Sequence, residues 1–120
     1  MNQGLYHYNV KQNSLELLLK EDLSTWITKV CGDEFWLKNA AVIFVITGVL
    51  DRTRIKYGDR GYRYILIEVG ALSQNISIIS HELKLGSCLI GGYIDSEVNK
   101  LLDINLQKEY SLCLIAVGKI

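Results

Sequence analysis

The chain has 120 residues, 49% of them hydrophobic, and its 13 basic and 13 acidic residues balance to a net charge of zero. This length and composition predict one globular domain and exclude a disordered chain, and the neutral balance disfavours nucleic acid as a partner. The longest apolar run, residues 40–50, is far shorter than the roughly 20 residues that span a bilayer, so we expect no membrane partner.

The first part of the chain is predicted to form a hairpin, a short helix and a buried strand. Residues 5–8 and 14–19 flank a turn-rich link of hairpin length, which predicts two paired strands. A helix is expected from about residue 22 to a stop at Gly32, because apolar residues recur there at helical spacing. Residues 41–47 are apolar without polar alternation, which predicts a central strand covered on both faces.

The second half is predicted to be dominated by one long helix. From about residue 60 to residue 84 the apolar positions wrap more than one helical face, so we expect this helix to be central to the fold or to a dimer. Gly86 is expected to end it, before a brief strand near Ile90. A short helix at 95–102 and a buried strand at 111–117 follow. Because no βαβ rhythm is present, the predicted class is α+β.

The cysteines and histidines indicate neither a disulfide framework nor a metal site. Cys31, Cys88 and Cys113 are odd in number and contain no CxxC pair, so we expect each to be a small core residue in a reducing, cytoplasmic compartment. His7 and His81 have no partner at the spacing of metal ligands, and we predict no bound metal.

A cluster of charge precedes the long helix. Between residues 51 and 63 there are five basic residues and two acidic ones, mixed with tyrosines and glycines. This composition suits a polar, planar, anionic ligand. The alternative is an ordinary solvated N-terminal end of a helix. A nucleic-acid site is a weaker alternative, because the whole chain is neutral.

Three residues of the long helix are candidates for contact with a ligand. Glu68 and Asn75 lie two turns apart on one face, where a carboxylate is costly unless it is paired or faces a ligand. Pairing of Glu68 with Arg63 or another arginine is the alternative. Gly70 costs about 1 kcal/mol relative to alanine in a helix, which suggests the close approach of a backbone or a flat ligand. The amides of residues 86–92 could hold a phosphate, although no GxGxxG spacing is present.

Nearly the whole chain, residues 4–119, resembles the C-terminal portion of the SagB-type (thiazoline/oxazoline) dehydrogenases of the nitroreductase superfamily. No single motif carries the resemblance, but several occur in the same order and register. The matching pieces are Gly4-Leu5-Tyr6-His7-Tyr8, Leu15-Glu16-Leu17, Ala40-Ala41-Val42, Lys56-Tyr57-Gly58-Asp59-Arg60-Gly61-Tyr62-Arg63-Tyr64, Glu68-x-Gly70, Gln74-Asn75, Leu85-Gly86, Ile90-Gly91-Gly92 and Ala116-Val117-Gly118.

The resemblance implies a nitroreductase-like α+β fold in which an antiparallel sheet packs on a long central helix, and a dimer that binds FMN where two subunits meet. It implies oxidation of an azoline ring in a ribosomally made peptide to an azole, with hydride passing to the flavin. Lys56 and Tyr57 would be the catalytic pair that assists proton removal. The predicted cofactor-binding residues are Arg60, Glu68, Gly70, Asn75, Gly86, Ile90 and Gly91.

The chain also departs from the family. The resemblance implies that residues 1–120 are a single partial domain whose N-terminal part is missing, including an arginine-rich segment that grips the FMN phosphate and a Pro-Ser-rich loop that contacts the flavin. We therefore expect it to be inactive without that portion, and to work as a homodimer or with a complementing N-terminal chain on a peptide or small-molecule substrate. The alternative is a non-catalytic module or remnant that docks onto a peptide-modification complex.

Overall fold

Nine helices and strands follow one another along the chain, and the structure, a computed structural model, describes all 120 residues. In chain order they are β1 (Leu5–Asn9), β2 (Ser14–Leu19), α1 (Ser24–Val30), β3 (Val42–Val49), α2 (Leu50–Tyr57), α3 (Gly61–Glu82), β4 (Leu85–Ile90), α4 (Asp95–Leu102) and β5 (Glu109–Lys119). Short 3-10 helices occupy Phe35–Asn39 and Gly58–Arg60. The predicted hairpin, the helices that became α1, α3 and α4, and the closing strand are confirmed.

The strands form two antiparallel sheets. β1 and β2 pair only with each other, and the second sheet has the order β3-β5-β4. The prediction of a central strand at residues 41–47 is therefore wrong, because β5 is central and β3 lies at the edge. Val42 and Phe44 of β3 are also 38% and 40% exposed. An apolar run shows that a strand can be buried, but its backbone partners decide its place in the sheet.

β5 has core residues on both of its faces, because successive side chains along a strand point to opposite sides of the sheet. Leu114 and Ala116 belong to a buried cluster with residues of α1 and α4, including Ile27 and Val98. Cys113, Ile115 and Val117 form a second cluster, against which Val69 and Ile76 of α3 pack. The sheet thus lies between a layer of short helices and the long helix.

α3 confirms the expected long helix, and its 22 residues extend about 33 Å at 1.5 Å per residue. Its buried face includes Ser73 and Ser80, whose hydroxyls donate hydrogen bonds to the carbonyl oxygens four residues earlier. Ile67 and Ile78 are 61% and 53% exposed, so apolar residues do wrap beyond the face that packs on the sheet. No helix in the chain is both long and apolar enough to cross a membrane.

The end of α3 differs from the prediction. Lys84, which follows the C-cap residue Leu83, takes a left-handed conformation with φ of 61°, while Gly86 lies inside β4 opposite Gly118. Gly86 therefore does not end the helix. A lysine occupies the position after the C-cap that glycine usually takes, so the residue type gave no indication that the helix ends there.

Candidate functional site

The two residues predicted to be catalytic lie together at the end of α2. The Lys56 ammonium nitrogen is 5.2 Å from the centroid of the Tyr57 ring, within the range of a cation–π contact. The Tyr57 ring also packs edge-to-face on Tyr64 of α3, with centroids 4.8 Å apart and planes at 76°. Tyr57 is 46% exposed, so the pair remains open to an incoming molecule.

Two glycines shape the turn that brings α2 against α3. Gly58 has a φ of 60°, a conformation that residues with a β-carbon rarely adopt. A β-carbon added to Gly61 would lie 3.1 Å from the backbone nitrogen of Arg54, which shows how closely the two helices approach. The Arg54–Asp59 ion pair, at 3.6 Å, is exposed and adds little to this turn. Backbone contact between the helices therefore holds the turn.

Glu68 and Asn75 continue the side of α3 that begins at Tyr64, because residues four and eleven positions apart fall close together around a helix. Both are exposed. Glu68 makes no ion pair, so the alternative of pairing with Arg63 does not occur. Gly70, two residues beyond Glu68, lies about 200° around the helix and faces another direction.

A cleft on the α3 side of the sheet, here called the Glu68 cleft, has a volume of about 580 Å³. Polar residues outnumber hydrophobic ones in its lining, and five of the twelve lining residues are hydrophobic. The lining residues are His7, Ile46, Thr47, Gly48, Val49, Arg52, Thr53, Ile65, Glu68, Val69, Leu72 and Glu109. Thr47 donates a hydrogen bond of 2.6 Å to the Glu109 carboxylate across the sheet. Thr47 and Glu109 were not predicted, since residues so distant in sequence meet only through the pairing of β3 with β5.

A second cleft, here called the Gly91 cleft, has a volume of about 300 Å³ on the other side of the sheet. Its lining residues are Cys31, Glu34, Trp36, Leu37, Cys88, Leu89, Ile90, Gly91 and Gly92. The Trp36 indole nitrogen donates a 2.8 Å hydrogen bond to Glu34. Trp36 and Glu34 were not predicted as site residues. The one sign of them in the sequence is an aromatic residue two positions after an acidic one.

The predicted cofactor-binding residues therefore separate into two groups. Glu68 lines the cleft beside α3, whereas Ile90 packs with the cluster of α1 and α4 on the opposite face of the sheet. Gly91 follows Ile90 in the second cleft. Arg60 is exposed in the short turn before α3 and makes no ion pair, and Gly86 lies within the sheet. One chain does not gather all of these residues at one place.

The cysteines differ in burial, which allows a direct test of the Gly91 cleft. Cys31 and Cys113 are buried, as expected of core residues, but the expectation for Cys88 is wrong because it is exposed. Burial raises the pKa of the Cys31 thiol, and the nearby charge of Glu34 raises it further, so little reactive thiolate forms. We expect Ellman's reagent to modify one thiol in the native chain and three after unfolding, and Cys88→Ser to remove the native reaction. Two fast thiols in the folded chain would contradict this assignment.

Comparison with protein-family models gives a match that covers almost the entire chain. The model of the nitroreductase family matches residues 6–119. "Putative nitroreductase MJ1384" of Methanocaldococcus jannaschii is 31% identical over 119 residues, which are 99% of this chain and 59% of that protein. The Escherichia coli "Microcin B17-processing protein McbC" is 25% identical over 105 residues, 85% of this chain and 38% of McbC. The chain thus spans little more than half of the first relative and less of the second.

Solved structures agree with the fold. A crystal structure of a candidate nitroreductase from Anabaena variabilis superposes with a TM-score of 0.88 and 28% identity, covering 99% of this chain and 24% of that one. The Escherichia coli microcin synthetase McbBCD complex with truncated pro-MccB17 bound superposes with a TM-score of 0.84 and 24% identity, covering 96% of this chain and 44% of that one. The predicted nitroreductase-like α+β fold is confirmed, and the chain belongs to the nitroreductase family.

Proposed function

We propose that this chain is part of an FMN-dependent azoline dehydrogenase of the SagB type, a partial domain that works with a second polypeptide. The observation that carries the proposal is the exposed Lys56–Tyr57 pair, placed by the turn beside the face of α3 that bears Glu68. The similarity to McbC, a protein named for processing microcin B17, supports a peptide substrate.

In this proposal the ring system of FMN would lie in the Glu68 cleft. Its volume lies within the range of pockets for small molecules, and Ile65, Val69 and Leu72 offer apolar surface while Glu68 offers a hydrogen-bond acceptor. A phosphate dianion prefers several charge-assisted hydrogen bonds, and Arg52 is the sole arginine or lysine in the lining. The remaining phosphate contacts would come from the second polypeptide, with Arg60 free to add one.

When bound, FMN would accept a hydride from the azoline ring. Conversion of an azoline to an azole removes one hydride and one proton, so a group on the protein must take the proton. Lys56 would accept it at Nζ, and the face of the Tyr57 ring would stabilise the ammonium that forms. Tyr57 would also orient the ring being oxidised through its phenol. These roles need both side chains exposed, as they are.

The separation of the candidate residues supports an assembled site. Lys56, Tyr57 and Glu68 lie toward α3, whereas Ile90 and Gly91 line the cleft on the other face of the sheet. A flavin that contacts both groups would therefore use one group from this chain and the other from a second copy. If the second polypeptide is instead a complementing chain, that chain would supply the flavin contacts that a second copy would make through Ile90 and Gly91.

The binding proposal predicts that FMN is retained only by the assembled protein. The chain would be purified alone and together with a candidate complementing chain, and bound flavin measured by absorbance per polypeptide. We expect Glu68→Gln to weaken FMN binding by roughly tenfold or more, the scale of a lost hydrogen bond between charged and neutral groups. Glu82→Gln, at the exposed end of the same helix, is the matched control. Folded preparations that never contain FMN would contradict the proposal.

A second candidate, a non-catalytic docking module, is favoured by exposed apolar surface. Ile67 and Ile78 project from α3 and Leu15 and Leu17 from the hairpin, with exposed fractions between 46% and 61%. Apolar surface of this kind often marks a partner site. Sedimentation of the isolated chain separates the candidates, because a well-folded, monodisperse monomer would remove the basis for the module.

A further inference from the structure

We infer that Tyr64 is a positioning residue that holds the Tyr57 ring, and with it the side-chain nitrogen of Lys56, in the orientation that the reaction uses. The inference rests on the proposed function for the roles of Lys56 and Tyr57. The contact itself is a property of the folded chain, with ring centroids 4.8 Å apart and planes at 76°. This edge-to-face arrangement directs the positive edge of one ring toward the negative face of the other.

Tyr57 has few other constraints. It is the last residue of α2, a helix without a single buried residue, and Gly58 with its positive φ follows it. The residue is 46% exposed, so core packing does not select one rotamer of its ring. The Lys56 ammonium lies over the same ring but ends a long, flexible side chain, which is a weak source of order. Tyr64 is the aromatic partner that remains.

Tyr64, by contrast, is anchored. It is partly buried in the first turns of α3, and the adjacent residue Ile65 is 7% exposed. The close approach of Gly61 to the backbone of Arg54 sets the separation of the two helices. A ring on α3 can therefore act as a fixed surface for a ring on α2.

The break between the helices creates this contact. In one continuous helix, residues seven positions apart would be separated by about 10.5 Å along the axis. The turn at Gly58–Arg60 instead folds α2 back on α3, so that Tyr57 and Tyr64 meet. Tyr62, one residue after Gly61, is 49% exposed and has no aromatic partner, which makes it a matched control in the same turn.

The experiment compares Tyr64→Leu, Tyr64→Phe and Tyr62→Leu. NMR of the isolated chain with labelled tyrosines would measure the ring-current shift of the Tyr57 aromatic protons and their NOE to residue 64. We expect Tyr64→Leu to abolish both and Tyr64→Phe to retain both, because phenylalanine keeps the ring. Tyr62→Leu should change neither signal. A Tyr57 shift that persists in Tyr64→Leu would overturn the inference whether or not the chain binds FMN.

Turnover of the flavin-loaded assembly tests the consequence for catalysis. We expect Tyr64→Leu to lower kcat by roughly tenfold to a hundredfold through misplacement of Tyr57, with KM and FMN content unchanged. Tyr64→Phe should restore kcat, and Tyr62→Leu should match the unsubstituted protein. Loss of FMN in every protein would refute the proposed function and leave the NMR result to decide the ring contact. Unchanged kcat in flavin-loaded Tyr64→Leu would overturn the positioning role.

Discussion

Lys56→Met in the flavin-loaded assembly is expected to lower kcat by about 10²- to 10⁴-fold, the range for loss of a general acid or base. Methionine keeps a flexible, unbranched side chain of similar length but removes the nitrogen that would receive the proton. Since Lys56 is exposed at the end of α2, the substitution should not disturb the core. Turnover of an azoline-containing peptide and flavin absorbance, measured on the same preparation, separate loss of chemistry from loss of cofactor.

Lys100→Met provides the control for this experiment. Lys100 is an exposed lysine on α4, which packs on the face of the sheet opposite α3. We expect its replacement to leave kcat within about twofold, since surface substitutions away from a site change little. If Lys56→Met retained comparable kcat with full FMN content, Lys56 would not be the proton acceptor.

Leu114→Ala is expected to cause a large loss of stability. The Leu114 side chain is fully buried in β5, and its backbone neighbours are Val45 of β3 and Ile90 of β4. Removal of a buried leucine side chain costs about 2–5 kcal/mol, because apolar contacts are lost and a cavity remains. Small domains have only about 5–15 kcal/mol of net stability, so this loss would shift a urea unfolding midpoint markedly.

Leu106→Ala is the matched control for stability. Leu106 precedes β5 in the loop that follows α4 and is 56% exposed. We expect its replacement to change the free energy of unfolding by no more than about 0.5 kcal/mol. Equal losses for the two leucines would contradict the assignment of Leu114 to the core.

Most of the regular elements could be predicted because their apolar residues follow a local period. α2 was the exception. It has no buried residue, so it lacks the apolar stripe by which a helix is recognised, and its residues suggested only a charged helix entrance. The error at β3 has another origin, since the apolar runs of β3 and β5 are similar and a local pattern does not distinguish an edge strand from a central one.

In the candidate site, too, some features could be predicted from the sequence and others could not. Lys56 and Tyr57 are neighbours in the chain, so their proximity and the resemblance they carry could be recognised before any fold was known. The sequence could not show that Glu68 and Arg63 do not pair. Their spacing allows an ion pair, but side-chain geometry decides whether it forms. The contact of Thr47 with Glu109 depends on strand pairing in the same way.

The residue order thus specifies the α+β class and the long helix, which follow from local periodicity, and its short motifs carry the resemblance that implies the nitroreductase-like fold and the Lys56–Tyr57 pair. The central place of β5, the division of the cofactor candidates between two clefts and the contact of Tyr57 with Tyr64 depend on how distant segments pack. Such packing is set by backbone pairing and by the close approach of helices, and neither leaves a periodic signal in one stretch of chain.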